Sequence, residues 1–207
     1  MKVALDLDNV IVDIISAARD VMASSARISP SEITYTHIYD APFSHPDPEI
    51  AKRLLPDHAF WRREDVLAGS KPLPGSLDAV TQLHEAGHLG CYITRRPPAV
   101  ASITKRWLAE AGFPQKPVPH VGHTEKVLNH ALCKSTACRT HSITHMVDDQ
   151  AHEARTLQAA GIRVILVDAP IGYVERQEFL KEHPDMPVAP NISAAISILL
   201  QEFQAAA

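Results

Sequence analysis

The chain has 207 residues, 45% of them hydrophobic, and a formal net charge of -4. That is enough apolar material for one domain with a sizeable core, or for a core domain plus a small insert. The mildly acidic balance excludes a general nucleic-acid binder, which needs a basic face.

No apolar run reaches the length of a membrane span. The first residues carry Asp6, Asp8 and Asp13 rather than the basic-then-apolar order of a signal peptide. Cys91, Cys133 and Cys138 are odd in number and form no C-x-x-C pair, so a reducing, cytoplasmic compartment is expected.

The chain opens with a short apolar run, Val3-Ala4-Leu5, that ends in Asp6-Leu7-Asp8. A buried strand should be continuously apolar, so two carboxylates at its end need a reason. Residues i and i+2 of a strand point the same way, which lets Asp6 and Asp8 share one site. Carboxylates that close repel each other unless a cation sits between them or donors surround them. The plainer alternative is that one caps the next helix and the other is solvated.

Helical spacing follows from Ile14 to about Ala26, with Asp13 as its cap. Ser29-Pro30-Ser31-Glu32 reads as a turn with a helix start. Residues 35–48 are irregular, and Pro48 to Leu55 reads as a short helix. No convincing buried strand falls between 14 and 74, so this stretch is expected to be a small, mostly helical insert. The core would then comprise 1–13 and 75–207.

From Gly75 the pattern alternates. Leu77, Val80 and Leu83 keep helical spacing, with Gly87 as a C-cap. Leu89 to Ile93 reads as a strand ending at Thr94, and Pro97 and Pro98 open a helix that stops near Gly112. Val118 to Val121 is expected as a third strand. Lys134 to His141 reads as a helix, Ile143 to Val147 as a fourth strand ended by Asp148 and Asp149. Ala151 to Ala160 is helical, Val164 to Val167 is a fifth strand, and Asn191 caps a last helix. Asp168 reads as a turn residue.

Strand alternating with helix predicts an α/β fold: a Rossmann-like, five-stranded parallel sheet with helices on both faces. Ligands bind such sheets beyond the carboxyl ends of the strands. The polar residues expected there are Asp6, Asp8, Thr94, Asp148 and Asp149. That many carboxylates call for a hard cation, and Mg²⁺ takes oxygen ligands and bridges to phosphates. Asp6, Asp8, Asp148 and Asp149 are the candidate ligands. No Cys or His cluster falls beside these strand ends, which disfavours zinc. The pairs His120 with His123 and His141 with His145 lack partners at metal spacing and read as ordinary histidines.

Such a crevice suits phosphoryl transfer. Asp6 can attack phosphorus, Asp8 can serve as acid and then base, and Thr94 can donate a hydroxyl to a phosphoryl oxygen. A lysine is expected to offset transition-state charge; Lys134 is the first candidate and Lys126 the alternative.

Asp6-Leu7-Asp8-Asn9-Val10, Ile93-Thr94, Lys134 and Val147-Asp148-Asp149 resemble, in order, the four motifs of the haloacid dehalogenase superfamily of phosphohydrolases. The resemblance covers about 1–13 and 75–170. It implies an Mg²⁺-dependent phosphatase with Asp6 as nucleophile and Asp8 as acid/base, acting on a small phosphorylated metabolite and on no nucleic-acid polymer or membrane. The family usually places Gly after the second Asp, where this chain has Asn9. The insert resembles the cap of one class, which can also serve as a surface between two copies.

Phe60-Trp61 followed by Pro72-Leu73-Pro74-Gly75-Ser76 is similar to the 5'(3')-deoxyribonucleotidases, implying a nucleoside monophosphate. Phe60 and Trp61 would stack on a base, or else form the insert's own small core. Those nucleotidases usually carry Ser where this chain has Arg95. Arg95 or Arg96 could grip a phosphate bidentately, or form a surface ion pair, an outcome expected more of Arg96 than of Arg95. Other chemistries of the superfamily, mutase or dehalogenase, and a non-catalytic phospho-ligand binder are the alternatives.

Overall fold

The computed structural model describes residues 1–36, 38, 41–57, 59–122 and 133–206. The apolar triplet Val3–Leu5 (β1) is fully buried and lies inside the central sheet. Val12–Asp13 (β2) leads into helix Ile14–Ala26 (α1), and Asp13 caps that helix by accepting from Ser16 N at 3.0 Å. Next come strands Thr34–Tyr35 (β3) and Phe43–Ser44 (β4), helices Pro48–Arg53 (α2) and Glu64–Gly69 (α3), and strand Lys71–Pro72 (β5).

The body follows: Ser76–Glu85 (α4), Leu89–Tyr92 (β6), Ala101–Glu110 (α5), Lys134–Thr140 (α6), His145–Asp148 (β7), Ala151–Ala159 (α7), Arg163–Val167 (β8), Tyr173–Glu182 (α8), Val188–Ala189 (β9) and Ile192–Ala205 (α9). Asn191 caps α9 through Ala194 N at 3.0 Å.

The central sheet has five strands in the order β6-β1-β7-β8-β9, and every pair is parallel. Alternate side chains feed its two faces. Val3, Leu5, Val147 and Ile165 pack with α4, α5 and α9 through Val80, Leu83, Trp107, Ile196 and Leu199. Ala4, Cys91, Met146 and Val164 pack the other face with α6, α7 and α8 through Cys138, Leu157 and Phe179. The predicted α/β architecture with helices on both faces is therefore the one observed.

The strand expected at Val118–Val121 does not form. Residues 117–121 only lie along β6: Tyr92 N donates to Pro117 O at 3.0 Å, Thr94 N to Pro119 O at 3.1 Å, and Val121 N to Thr94 O at 2.9 Å. The run makes one parallel bridge, Thr94 with His120, and Pro117 and Pro119 have no N–H with which to extend it into a strand. The fifth strand is instead β9 at the opposite edge, only two residues long. Helix α8 leaves no clear mark in the sequence. Its buried residues are Arg176 and Phe179, and a buried arginine hides the apolar stripe of a helix.

Residues between β2 and β5 stay outside the central sheet. The two strands pair antiparallel, Val12 opposite Pro72 and Asp13 opposite Lys71, and form a narrow neck. The insert also holds a ribbon of β3 and β4, with the Tyr35 and Phe43 rings 5.9 Å apart. Its apolar residues Met22, Val66 and Leu67 belong to the same core cluster as Leu83 and Trp107 of the body. Trp107 Nε1 donates to Ser70 O at 2.8 Å, and Arg106 pairs with Glu64 at 2.7 Å. Among the described residues no helix is long and apolar enough to cross a membrane.

Candidate active site

Three neighbouring strands, β6, β1 and β7, end on one side of the sheet, and each ends in polar residues. Asp6 extends β1 by one more ladder bond, its N–H donating to Val147 O at 2.9 Å. Thr94 follows β6, and Asp148 and Asp149 close β7. Lys134 arrives from the first turn of α6. All five are buried, Thr94, Lys134 and Asp148 completely.

One oxygen each of Asp6, Asp148 and Asp149 lies within 4.8 Å of the others. Lys134 Nζ sits between two of them, 2.7 Å from Asp148 Oδ2 and 3.2 Å from Asp6 Oδ2. Among the described residues, Asp6 Oδ1 is buried with no hydrogen-bond partner. Burial, with repulsion from Asp148, Asp149 and Asp8, pushes the Asp6 carboxyl well above the ordinary range despite Lys134. Burial and Asp148 push Asp149 up to about 7. Burial works against the charge on Lys134, but Asp148 and Asp6 outweigh it and hold the ammonium well above its ordinary value. Among the described residues, one buried cation thus faces three carboxylates, and the group they form is short of positive charge.

A hard divalent cation fits that lack. The donors are oxygens and they cluster closely. Asp6, Asp148 and Asp149 are the residues that could hold it.

The carboxylate of Asp8, expected in the same cluster, lies outside it. The i, i+2 rule fails because the strand ends at Asp6. Leu7 O accepts from Ile11 N and Val12 N, both at 2.9 Å, and curls the chain into a tight loop. Asp8 meets Arg96 instead. Arg96 Nε lies 3.2 and 3.1 Å from the two Asp8 oxygens, and Nη2 lies 2.6 Å from Oδ1. The expected surface ion pair of Arg96 is therefore overturned: the residue is 4% exposed. A buried guanidinium is tolerated here because Asp8 satisfies its charge and Thr104 Oγ1 accepts from Nη1 at 3.3 Å.

The exposed ion-pair partner is Arg95. Its side chain is 40% exposed and engages the buried Glu153. Burial would raise Glu153, but the hydrogen bond with His152 and the charges of Lys134 and Arg95 bring it down to about 2. The residues that sequence reasoning missed are Asn9, Gln150 and Glu153. Asn9 Nδ2 and Gln150 Nε2 donate to Asp149 Oδ2 at 3.1 and 2.7 Å. Gln150 N also donates to Asp148 Oδ1 at 3.0 Å.

Phe60 and Trp61 pack edge to face with centroids 5.6 Å apart, and both rest partly buried against the main core. Phe60 also lines an open cavity of about 440 Å³ with Met22, Ser25, Arg53 and Leu55. Met22 and Ser25 lie in the second half of α1, roughly 12–16 Å along the helix from Ile14 at 1.5 Å per residue. No strand-end carboxylate lines that cavity. Lys126 and His123 fall outside the described residues.

No family model and no curated protein sequence matches this chain. Solved structures do. One is a D,D-heptose 1,7-bisphosphate phosphatase from B. bronchiseptica complexed with magnesium and phosphate. It is 17% identical with a TM-score of 0.57, over 98% of this chain and 99% of that one. A second is a HAD family hydrolase from Deinococcus radiodurans R1 with bound phosphate and sodium, 15% identical with a TM-score of 0.60 over 97% and 95% of the two chains. A third is a haloacid dehalogenase-like hydrolase from Streptococcus pneumoniae, 12% identical with a TM-score of 0.58 over 98% and 97%. Coverage is nearly complete in both directions while identity is low: the chain shares the fold of these haloacid dehalogenase-like hydrolases over nearly all of its length.

Proposed function

We propose that the protein is an Mg²⁺-dependent phosphomonoesterase that works through an aspartyl-phosphate on Asp6. The observation that carries this reading is the asymmetry of Asp6. Lys134 holds Oδ2, while Oδ1 is buried in the middle of an acidic cluster and has no partner among the described residues. An oxygen in that state is a nucleophile without a competing hydrogen bond. The neighbours of the same fold that hold phosphate beside magnesium or sodium support the same reading.

In the first step the bond from Asp6 Oδ1 to phosphorus forms as the bond to the leaving oxygen breaks, and Asp8 gives that oxygen a proton. In the second, water attacks phosphorus, Asp8 takes its proton, the bond to Asp6 breaks and orthophosphate leaves. Thr94 Oγ1 accepts from Arg96 N at 3.1 Å, and its own hydrogen is free to go to a phosphoryl oxygen. Lys134 offsets charge as it builds on Asp6 and phosphorus. Asp6, Asp148 and Asp149 would hold Mg²⁺, which when bound lowers the repulsion between carboxylate and phosphate.

Release of phosphate from p-nitrophenyl phosphate with Mg²⁺, lost on chelation and in Asp6→Asn, tests the proposal. Full activity in Asp6→Asn would overturn it. Asp8 favours phosphatase over dehalogenase chemistry, which needs no acid at that position. Within the phosphomonoesters a nucleoside monophosphate is the class that Phe60 and Trp61 suit, through ring stacking. Preference for nucleoside over sugar monophosphates, reduced in Phe60→Ala or Trp61→Ala, is the expected result; equal rates with both would remove this part.

A further inference from the structure

We infer that Arg96 is a positioning residue for Asp8, coupling the acid/base to the threonine that grips phosphate; this rests on the phosphatase reading above. Arg96 reaches both through different atoms. Its side chain makes three contacts to the Asp8 carboxylate through Nε and Nη2. Its backbone N–H donates to Thr94 Oγ1 at 3.1 Å, and its carbonyl lies 3.2 Å from His120 Nδ1.

The guanidinium is itself fixed. Thr104 Oγ1 donates to Val100 O at 3.1 Å, so its lone pairs face Arg96 Nη1 at 3.3 Å. Thr104 is fully buried, and its place on α5 anchors the arginine to the body. Asp8 needs such a tether. It sits in the loop after β1 rather than in the strand, and its side chain is 26% exposed. A planar fork that binds both carboxylate oxygens fixes the plane of the carboxylate as well as its place, which a lysine cannot do. The pair spans 88 positions of sequence and joins the chain leaving β1 to the chain leaving β6.

The test is kinetic, on the purified full chain with p-nitrophenyl phosphate and Mg²⁺. Nitrophenolate leaves without a proton, so Asp8 is read through the water-attack step. Arg96→Met should lower kcat about 100-fold, the usual cost of a misplaced reacting group, with KM changed little. Arg96→Lys should recover part of that loss. Thr104→Val, which removes only the anchor of Nη1, should lower kcat about 3-fold, the size of one lost hydrogen bond, and serves if Arg96→Met fails to fold.

The decisive comparison is in an Asp8→Asn background, where both substitutions should cost nothing further. Losses of the same size there would overturn the positioning role and leave the phosphatase reading intact. A wild type without turnover that depends on Asp6 would overturn the phosphatase reading, and the role of Arg96 with it.

Discussion

The side-chain amide of Asn9 donates to Asp149 across 3.1 Å from a backbone held at φ 60°. The left-handed conformation accounts for the glycine that this fold usually places there, and asparagine is among the few residues that adopt it at low cost. The amide then adds a bond that glycine cannot. Asn9→Ala should lose about 1 kcal/mol for the backbone and about 1 for the hydrogen bond. Asn9→Gly should lose only the second. Denaturant unfolding should rank wild type above Asn9→Gly, and Asn9→Ala lowest.

Asp6 should be good for chemistry and poor for stability. Its carboxyl is buried and pushed well above the ordinary range, so folding gains nothing from its charge. Asp6→Asn should lose more than about 10³ in turnover while its melting temperature in metal-free buffer stays equal or rises. A clear drop in melting temperature would contradict that account of the Asp6 environment.

Asp149 makes stability depend on pH with a definite sign. Its pKa moves from 3.8 to about 7 on folding, so between those values the folded state binds more protons than the unfolded one. Metal-free stability from this group is therefore greatest at low pH and falls as pH rises from about 4 to about 7, by an amount on the order of 4 kcal/mol. Asp149→Asn should flatten that slope. Saturating Mg²⁺ should reverse it, because cation and proton compete for the same oxygens. Thermal melts across pH with and without Mg²⁺ read both effects.

Lys134 is the sole cation that contacts the Asp6 and Asp148 carboxylates among the described residues. Lys134→Met leaves both without it and should destabilise the protein by about 3–5 kcal/mol in metal-free buffer. Adding Mg²⁺ should restore part of the stability and none of the activity. Urea unfolding, with and without the metal, gives the comparison.

The acidic strand ends were legible because a buried apolar run seldom stops in Asp or Thr unless something at its tip needs oxygen. Asp6, Thr94 and Asp148 each follow such a run, and the structure gathers them with Lys134 around the end of β1. The place of Asp8 was not legible, since it depends on Leu7 turning the chain out of strand geometry. The burial of Arg96 was hidden for a related reason: its partner lies 88 residues away, and a local pattern shows only two adjacent arginines before two prolines. Val118 to Val121 misleads because its apolar spacing suggests a full strand, whereas Pro117 and Pro119 limit the run to one bridge, and β9 is too short to leave any periodicity.

The indole of Trp107, bonded to Ser70 O, ties the returning limb of the insert to the body immediately before the neck. A hinge through β2 and β5 would have to break that bond and bring the Val66 and Leu67 side of α3 into water. If the protein is the phosphatase proposed above, a substrate is expected to reach Asp6 with the insert still docked, because parting insert from body costs a buried hydrogen bond and wets two apolar side chains.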